Sequence, residues 1–439
     1  MNKTILLLAL SASVSFISCK KIESNLNTDI PGTLSAPTEF DWRTTKNLTL
    51  EFQLSDTRFS DELQVISVYD GHPENGGQLI TQGAISLKSK FISKIDLEKN
   101  AEELYIVKSA PDGTEFTQKV PVIGSYTNLL VGAERVISAL SLVPAKKLSE
   151  NLLTVKAASH IDTDGDGVTD INDTYPNDKG KAFVHCSINF AAGGSTVAFE
   201  DNWPLKGDYD MNDVVLNYRY RIITNSHNKV VHIKADYKLL ATGGNFENAA
   251  GIQFNIPKAN AVNLVAPPGV SIEQGQDSLV LVLFTNSRLE QAEWNTESLR
   301  PISAPNKYTI SFDVLNGASI AEFGVGTYNP FIWNNTSNYG RAYETHLRGK
   351  NPTKLALRAL FNSGDDRSND GTTYVTSDNL PWAIELPIAN FAYPKELVDM
   401  TSAYGKFGEW VLSKGAHYRD WYSNTAPGYR DVNKIFPVK

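Results

Sequence analysis

The strict alternation of apolar and polar residues between positions 214 and 239 constrains this chain more than any other feature. Val214, Leu216, Tyr218, Tyr220 and Ile222 share one parity, and Val231, Ile233, Ala235, Tyr237 and Leu239 repeat the pattern against His232, Lys234, Asp236 and Lys238. Successive side chains on a strand point to opposite faces, so a period of two over this length requires strands with one buried and one wet face. Ile252, Phe254 and Ile256, then Leu279 to Phe284, then Tyr308, Ile310 and Phe312, extend the sheet. Upstream, Leu48, Leu50, Phe52 and Leu54 alternate, as do Leu63, Val65, Ser67 and Tyr69. Phe91, Ile95 and Leu97, then Leu104 and Ile106, continue between turns such as HPENGG and APDG. The expectation is a mainly β chain: a small N-terminal antiparallel β-sandwich over residues 38–127 and a larger C-terminal β-sandwich over 179–439. Residues 128–161 read as a connecting segment. Near the end the period changes, and Leu397, Met400, Tyr404, Phe407 and Val411 predict one helix after Pro394.

Between the two expected sandwiches lies DTDGDGVTDIND, residues 162–173. Asp162, Asp164, Asp166, Asp170 and Asp173 occupy positions 1, 3, 5, 9 and 12 of a twelve-residue loop. Gly167 stands at position 6, where the backbone turns sharply, and the carbonyl of Val168 at position 7 points inward in such loops. No Lys or Arg interrupts the run, so the carboxylates repel one another unless a cation sits among them. An Asp- and Gly-rich solvated turn is the bland alternative. Calcium suits this set better than magnesium, because it accepts six to eight oxygens in flexible geometry. The loop is not an EF-hand: position 12 is Asp173 rather than Glu, and Pro176 discourages an exiting helix. The pattern resembles the calcium loops of thrombospondin type 3 repeats, in a single copy. We expect residues 162–178 to form a calcium-binding loop that braces the structure. Catalytic metals keep an open coordination position instead.

The N-terminus reads MNKTILLLALSASVSFISCKK. Lys3, an apolar run from Ile5 to Leu10 and small residues have the order of a secretory signal. Phe16-Ile17-Ser18-Cys19 resembles a bacterial lipobox, which implies removal of residues 1–18 and lipidation of Cys19. The other cysteine, Cys186, reads as a small core residue. Residues 19–37 are polar and Pro-containing, as a flexible tether would be. The expected location is the outer membrane, lipid-anchored, facing the cell surface or else the periplasm. Removal of residues 1–18 leaves 40 basic against 49 acidic residues, a net charge of −9. That balance excludes the basic footprint that nucleic acid requires.

A second acidic stretch, FEDNWPLKGDYDMND, holds Glu200, Asp201, Asp208, Asp210 and Asp213 against one Lys, with Asn212 adding an amide oxygen. It is a second candidate metal site. A hairpin rim of Asp and Asn turn formers is its bland reading. The longer run FEDNWPLKGDYDMNDVVLNYRY also resembles the signature of the LruC-type domain of surface lipoproteins from Bacteroidota and Leptospira. GKNPTKLAL (Gly349–Leu357), NLPWAIELP (Asn379–Pro387), FAYP (Phe391–Pro394), Trp410 and Asp420-Trp421-Tyr422 extend that resemblance over residues 160–435. Phe40 to Thr45, FDWRTT, is similar to openings in relatives. The resemblance implies location and architecture, and no activity.

No HExxH, GxSxG, glycine-rich phosphate loop or CxxC occurs, and the seven histidines are scattered. The expectation is therefore no enzyme. His417 near Asp420 reads as a surface hydrogen bond rather than a dyad. Trp333, Trp382, Trp410, Trp421 and Tyr422 have the shape to stack on sugars, but aromatic residues in a sandwich more often pack the core. Three functions compete: a calcium-braced surface binding or adhesion module with a protein or polysaccharide ligand, a glycan-binding accessory protein of a polysaccharide-uptake system, and a glycoside hydrolase.

Overall fold

The computed structural model describes residues 34–138, 153–155, 160–326 and 328–437. Cys19, the signal segment and most of the expected tether lie outside the described residues. The described residues from 35 onward form one compact unit.

Its N-terminal part contains β1 (Thr45–Leu54), β2 (Gln64–Tyr69), β3 (Leu79–Ile85), β4 (Phe91–Glu98), β5 (Glu103–Ser109), β6 (Thr114–Pro121), β7 (Tyr126–Val131), β8 (Val136–Ser138) and β9 (Leu153–Val155). They form two sheets, ordered β4-β1-β7-β8 and β3-β2-β5-β6-β9. Leu48, Leu50 and Phe52 of β1 are buried as their alternation requires. Two features depart from expectation. β7 pairs with β1 in parallel, so this sandwich is not wholly antiparallel; the long excursion through β2–β6 supplies the crossover that a parallel pair needs. Residues 128–161, expected as a connector, contribute most of β7 and all of β8 and β9, with Leu129 and Val131 fully buried.

The C-terminal part contains β10 (Phe183–Cys186), β11 (Ser195–Phe199), β12 (Val214–Thr224), β13 (Val230–Ala241), β14 (Asn248–Pro257), β15 (Ala261–Val265), β16 (Ser271–Ile272), β17 (Ser278–Phe284), β18 (Asn306–Val314), β19 (Tyr328–Asn334), β20 (Glu344–His346) and β21 (Ala383–Leu386). One antiparallel sheet runs β15-β18-β13-β12-β11-β21, with β10 also on β12, and a second runs β16-β17-β14-β19-β20. Four short helices accompany them: α1 (Ser287–Glu290), α2 (Ile320–Phe323), α3 (Met400–Ala403) and α4 (Phe407–Leu412). The single C-terminal helix expected from the stripe is thus two helices. Leu397 falls outside both, 76% exposed with φ of 61°. Gly405 lies between the helices; the large conformational entropy that glycine loses when it is ordered makes it a poor helix-interior residue.

One continuous apolar core joins the two parts, running from Leu48, Phe52 and Ile106 to Ile233, Ile252 and Phe312. Backbone-like contacts stitch the seam. The Asn228 amide accepts from Ala84 N and donates to Ala84 O, both at 2.9 Å. Phe40 and Trp42, ahead of β1, pack against Trp410 of α4 with ring centroids 4.8 and 5.9 Å apart. Trp42 Nε1 donates to Asn379 O at 2.9 Å, so the FDWRTT opening is a strap onto the C-terminal part.

β17 is buried on both faces, as its unbroken apolar run from Leu279 to Phe284 requires. A polar lid closes over the outer face. Val280, Val282, Phe331 and Trp333 form a separate apolar cluster on the outer face of their sheet. Over it, the Arg341 guanidinium lies 5.1 Å from the Phe331 ring and 4.6 Å from the Trp333 ring. Arg341 is held by Glu273 and Glu344, and Glu344 also accepts from His346 Nε2 at 2.8 Å and Thr353 N at 2.8 Å. Burial opposes ionisation of Glu344, but the His346 hydrogen bond and the Arg341 charge outweigh it and hold the carboxyl down at about 2. A depressed folded pKa stabilises the fold above the ordinary carboxylate range, and that contribution disappears as pH falls toward 2. Glu344→Ala leaves half-buried Arg341 and buried His346 short of a partner and should cost about 3 kcal/mol at neutral pH, measured by chemical denaturation. The difference from wild type should shrink below about pH 3; a constant difference down to pH 2 would contradict this role.

Candidate functional site

The acidic loop folds through its own short side chains. Asp162 Oδ1 accepts from Gly165 N at 2.8 Å and Oδ2 from Gly167 N at 2.9 Å. Asp164 Oδ1 accepts from Asp166 N at 3.1 Å, and Asp166 Oδ1 from Val168 N at 2.8 Å. Asp173 Oδ1 accepts from Tyr175 N at 2.6 Å. Gly167 has φ of 99°, the left-handed turn that its position requires. Asp162 spends both oxygens in this way, whereas Asp164, Asp166 and Asp173 each use one and leave its twin over. Oδ2 of Asp164, Asp166 and Asp173 are all buried and bonded to nothing. Oxygens of Asp162, Asp164 and Asp166 lie within 4.8 Å of one another. Buried polar atoms in folded proteins are nearly always satisfied, so three orphaned acceptors facing like charges form a costly arrangement. Burial, followed by the charges of Asp166, Asp164 and Asp162, pushes Asp173 up to about 7. Burial also raises Asp166.

Asp170 takes a different part from the one its spacing suggested. Both its oxygens are engaged by Thr163, accepting from N at 2.7 Å and Oγ1 at 2.6 Å. Those bonds hold its carboxyl below the usual range. It braces the loop entry and stands apart from the Asp162–Asp164–Asp166 group.

The loop is wedged into the seam. Val168 is buried with Val65 and Ala84 on one side and Ala182 and Phe183 on the other. Asn172 Nδ2 donates to Ala110 O at 3.1 Å, and Thr174 Oγ1 donates to Gln82 Oε1 at 3.1 Å. Sequence alone placed the loop between two halves without showing that its side chains grip the first.

The second acidic stretch divides in two. Oxygens of Glu200, Asp208 and Asp210 lie within 4.8 Å of one another. Glu200 is buried and accepts from Tyr209 N at 3.2 Å and Met211 N at 2.6 Å. Its carboxyl is driven well up by burial, then by Asp210 and Asp208. Burial and Asp208 also lift Asp210, to about 8. Asp201 and Asp213 form a separate pair, with Asp213 Oδ2 accepting from Asp201 N at 2.9 Å. Asn248 Nδ2 donates to Asp201 Oδ2 at 2.6 Å. Asn212 joins the first group only through its backbone, which donates to Asp210 Oδ1 at 3.1 Å; its Nδ2 donates to Pro394 O, and its Oδ1 is buried without a hydrogen-bond partner among the described residues. The side chains of Asn248 and Arg288, the latter caged by carbonyls of Thr242 and Gly243, were not legible as neighbours of this stretch. They come from β14 and α1, far along the chain, and carry no local signal.

The aromatic residues with the shape to stack on sugars are all buried: Trp333, Trp382, Trp410, Trp421 and Tyr422. Several motif residues lock the fold through their polar edges. Trp382 Nε1 donates to Leu205 O at 2.7 Å, Trp203 Nε1 to Asp366 Oδ2 at 2.7 Å and Tyr393 OH to Asn295 O at 2.9 Å. Cys186 sits among Val184 and Ile223, and burial pushes its thiol up to about 11. His417 N donates to Ser413 Oγ, and Asp420 Oδ2 accepts from Asn424 Nδ2.

A family described as "Domain of unknown function (DUF4842)" matches residues 228–422 of this chain. No curated protein matches. Among solved structures, the chain is similar to one described as "Putative lipoprotein from Bacteroides ovatus", at 17% identity and a TM-score of 0.53. That likeness covers 85% of this chain and 99% of the other, so the two share a fold through both parts. No helix among the described residues is long and apolar enough to cross a membrane.

Proposed function

We propose that this chain is a lipid-anchored surface binding module whose two β parts are clamped together by calcium at residues 162–173. The three buried, partnerless Oδ2 atoms of Asp164, Asp166 and Asp173, set beside Asp162, carry the reading. A hard cation removes the repulsion and supplies the partners that these oxygens lack, and an all-oxygen flexible loop favours calcium. The loop grips both parts through Val168, Asn172 and Thr174, so the ion acts as a brace and not as a catalytic metal. Glu200, Asp208 and Asp210 are the second place where we expect a cation, braced by buried backbone donors.

The lipobox-like FISC sequence and the LruC-type resemblance support the anchor and the outer-membrane location. A likeness to a protein described as a putative lipoprotein agrees with the anchor. The adhesion reading is preferred over the glycan reading because burial of the five aromatic residues removes them as sugar platforms.

Calcium that binds only the folded chain adds about 2.7 kcal/mol at a hundredfold excess over Kd, so melting should rise by several degrees with calcium and fall with chelator. Asp164→Ala with Asp166→Ala should abolish that rise, whereas Asp170→Ala should lower the starting stability and keep most of it. An unchanged calcium shift in the double variant would exclude the loop as the site. Separately, Cys19→Ser should move the protein from the membrane fraction to the soluble fraction; retention in membranes would refute the lipid anchor.

A further inference from the structure

One end of the C-terminal sandwich holds the apolar side chains that this fold leaves furthest out in water. β11 ends there at Phe199 beside the start of β12 at Val214, and β21 begins there with Ala383 opposite Phe199. β13 ends and β18 begins at the same end, with Leu239 opposite Asn306, and β14 begins where β19 ends, with Asn248 opposite Asn334. The loops 200–213, 242–247 and 285–305 therefore crown this end, away from the Asn228 turn that meets the N-terminal part. Leu299, Leu289 and Leu397 are the three most exposed large apolar side chains among the described residues, at 100%, 83% and 76%, and all three stand here. Leu205 and Ile302 are further exposed tips of the same rim. Hydrogen bonds tie the separate loops together. Glu396 accepts from Gly244 N at 3.0 Å and Thr296 Oγ1 at 2.9 Å, and Leu397 N donates to Asp210 Oδ2 at 2.8 Å. Those bonds hold Leu397 at φ of 61°, a left-handed conformation that leucine rarely adopts, while its side chain stands in water. A single exposed leucine needs no explanation, but five apolar tips on one rim do.

We infer that this leucine-tipped end docks on a phospholipid bilayer, the same membrane that would hold a lipid on Cys19. Two observations choose a bilayer over a protein partner. The first is where the chain enters the compact unit. Ala36 N donates to Asp378 O at 2.8 Å, and residues 376–382 lead directly into the start of β21 at this end. Sixteen residues, 20–35, separate Ala36 from Cys19, a span of at most about 60 Å, so an anchor at Cys19 keeps this end within reach of the membrane. The second is the chemistry of the tips. They are aliphatic and stand out on three separate segments, whereas protein hot spots favour Trp, Tyr and Arg in packed pockets and under-use Leu. Aliphatic side chains that enter the headgroup boundary bind a bilayer, and a tether multiplies such weak contacts by raising their local concentration. The inference rests on the anchor reading and is independent of calcium.

Two forms of the chain separate this docking from the anchor itself. The soluble chain from residue 20, which carries no lipid, should co-sediment with vesicles of phosphatidylcholine and phosphatidylethanolamine. High salt should leave that binding in place, because apolar contact and not charge carries it. Leu289→Ser, Leu299→Ser and Leu397→Ser together should weaken it at least about tenfold and leave the melting temperature unchanged, since exposed side chains contribute little to the fold. Ile123→Ser with Val265→Ser, similarly exposed positions away from this end, should bind as wild type does. On the same vesicles, a bimane probe at Leu299→Cys of the lipidated full chain should shift to the blue and be quenched by nitroxide-labelled lipid. A probe at Ile123→Cys should do neither. A quenched Leu299 probe without sedimentation of the soluble chain still supports the docking, with the tether supplying the concentration. Equal vesicle binding by the triple variant, or no sedimentation together with an unquenched Leu299 probe, would overturn the inference. A dimer that the triple variant abolishes, with no vesicle binding, would also overturn it and assign the end to a second copy of this chain. If Cys19 proves unacylated, the soluble chain alone decides the docking, so the two readings fail separately.

Discussion

Apolar faces that no single sheet can cover for itself govern this structure. Each of the four sheets carries a full row of Val, Ile, Leu and aromatic side chains, and exposure of such a row costs about 25 cal/mol per Å². The chain solves this with one continuous core that passes from the N-terminal sheets into the C-terminal ones. The strap of Phe40 and Trp42 onto α4 closes the same seam from outside. The parts are therefore not beads joined by a linker. They are mutual lids.

A seam of this kind must also dispose of polar groups, and here it does so by two routes. Where partners are available the groups are fully bonded: His185 is held by Thr81 and Thr224, and Asn228 completes the backbone of Ala84. Burial keeps His185 down at about 3, so it stays neutral and costs little. Elsewhere carboxylates collect without enough donors, at residues 162–173 and at Glu200–Asp208–Asp210. These are the places where the fold is least content with itself. Local strain of charge at otherwise well-packed positions is the physical basis of the cation readings.

Much of the architecture was legible because strand periodicity is local. Leu48, Leu50 and Phe52 announce their face whatever they pack against, and β13 keeps its alternation with Lys234 exposed and Ile233 buried. Reading failed where burial had a distant cause. What covers the outer face of β17 is the apolar cluster with Phe331 and Trp333 of β19, capped by Arg341 further along the chain, and β7 looked like a connector because its partner β1 lies far back in the chain. The helical stripe failed through Leu397, whose positive φ ends any helix before Met400. The acidic loop was readable as a spacing, and the structure divides it by use: Asp162, Asp164 and Asp166 cluster, while Asp170 turns to Thr163.

The sequence by itself determined the secondary-structure class and the positions of the two acidic runs, because alternation and Asp-Gly spacing act over a few residues. The tertiary structure alone decided that two sandwiches share one core and that Asp201 and Asp213 part from Glu200. Those outcomes depend on which strand edges and loops meet across more than a hundred residues of chain. Burial and the shortage of hydrogen-bond donors are properties of that meeting, and no local pattern encodes them.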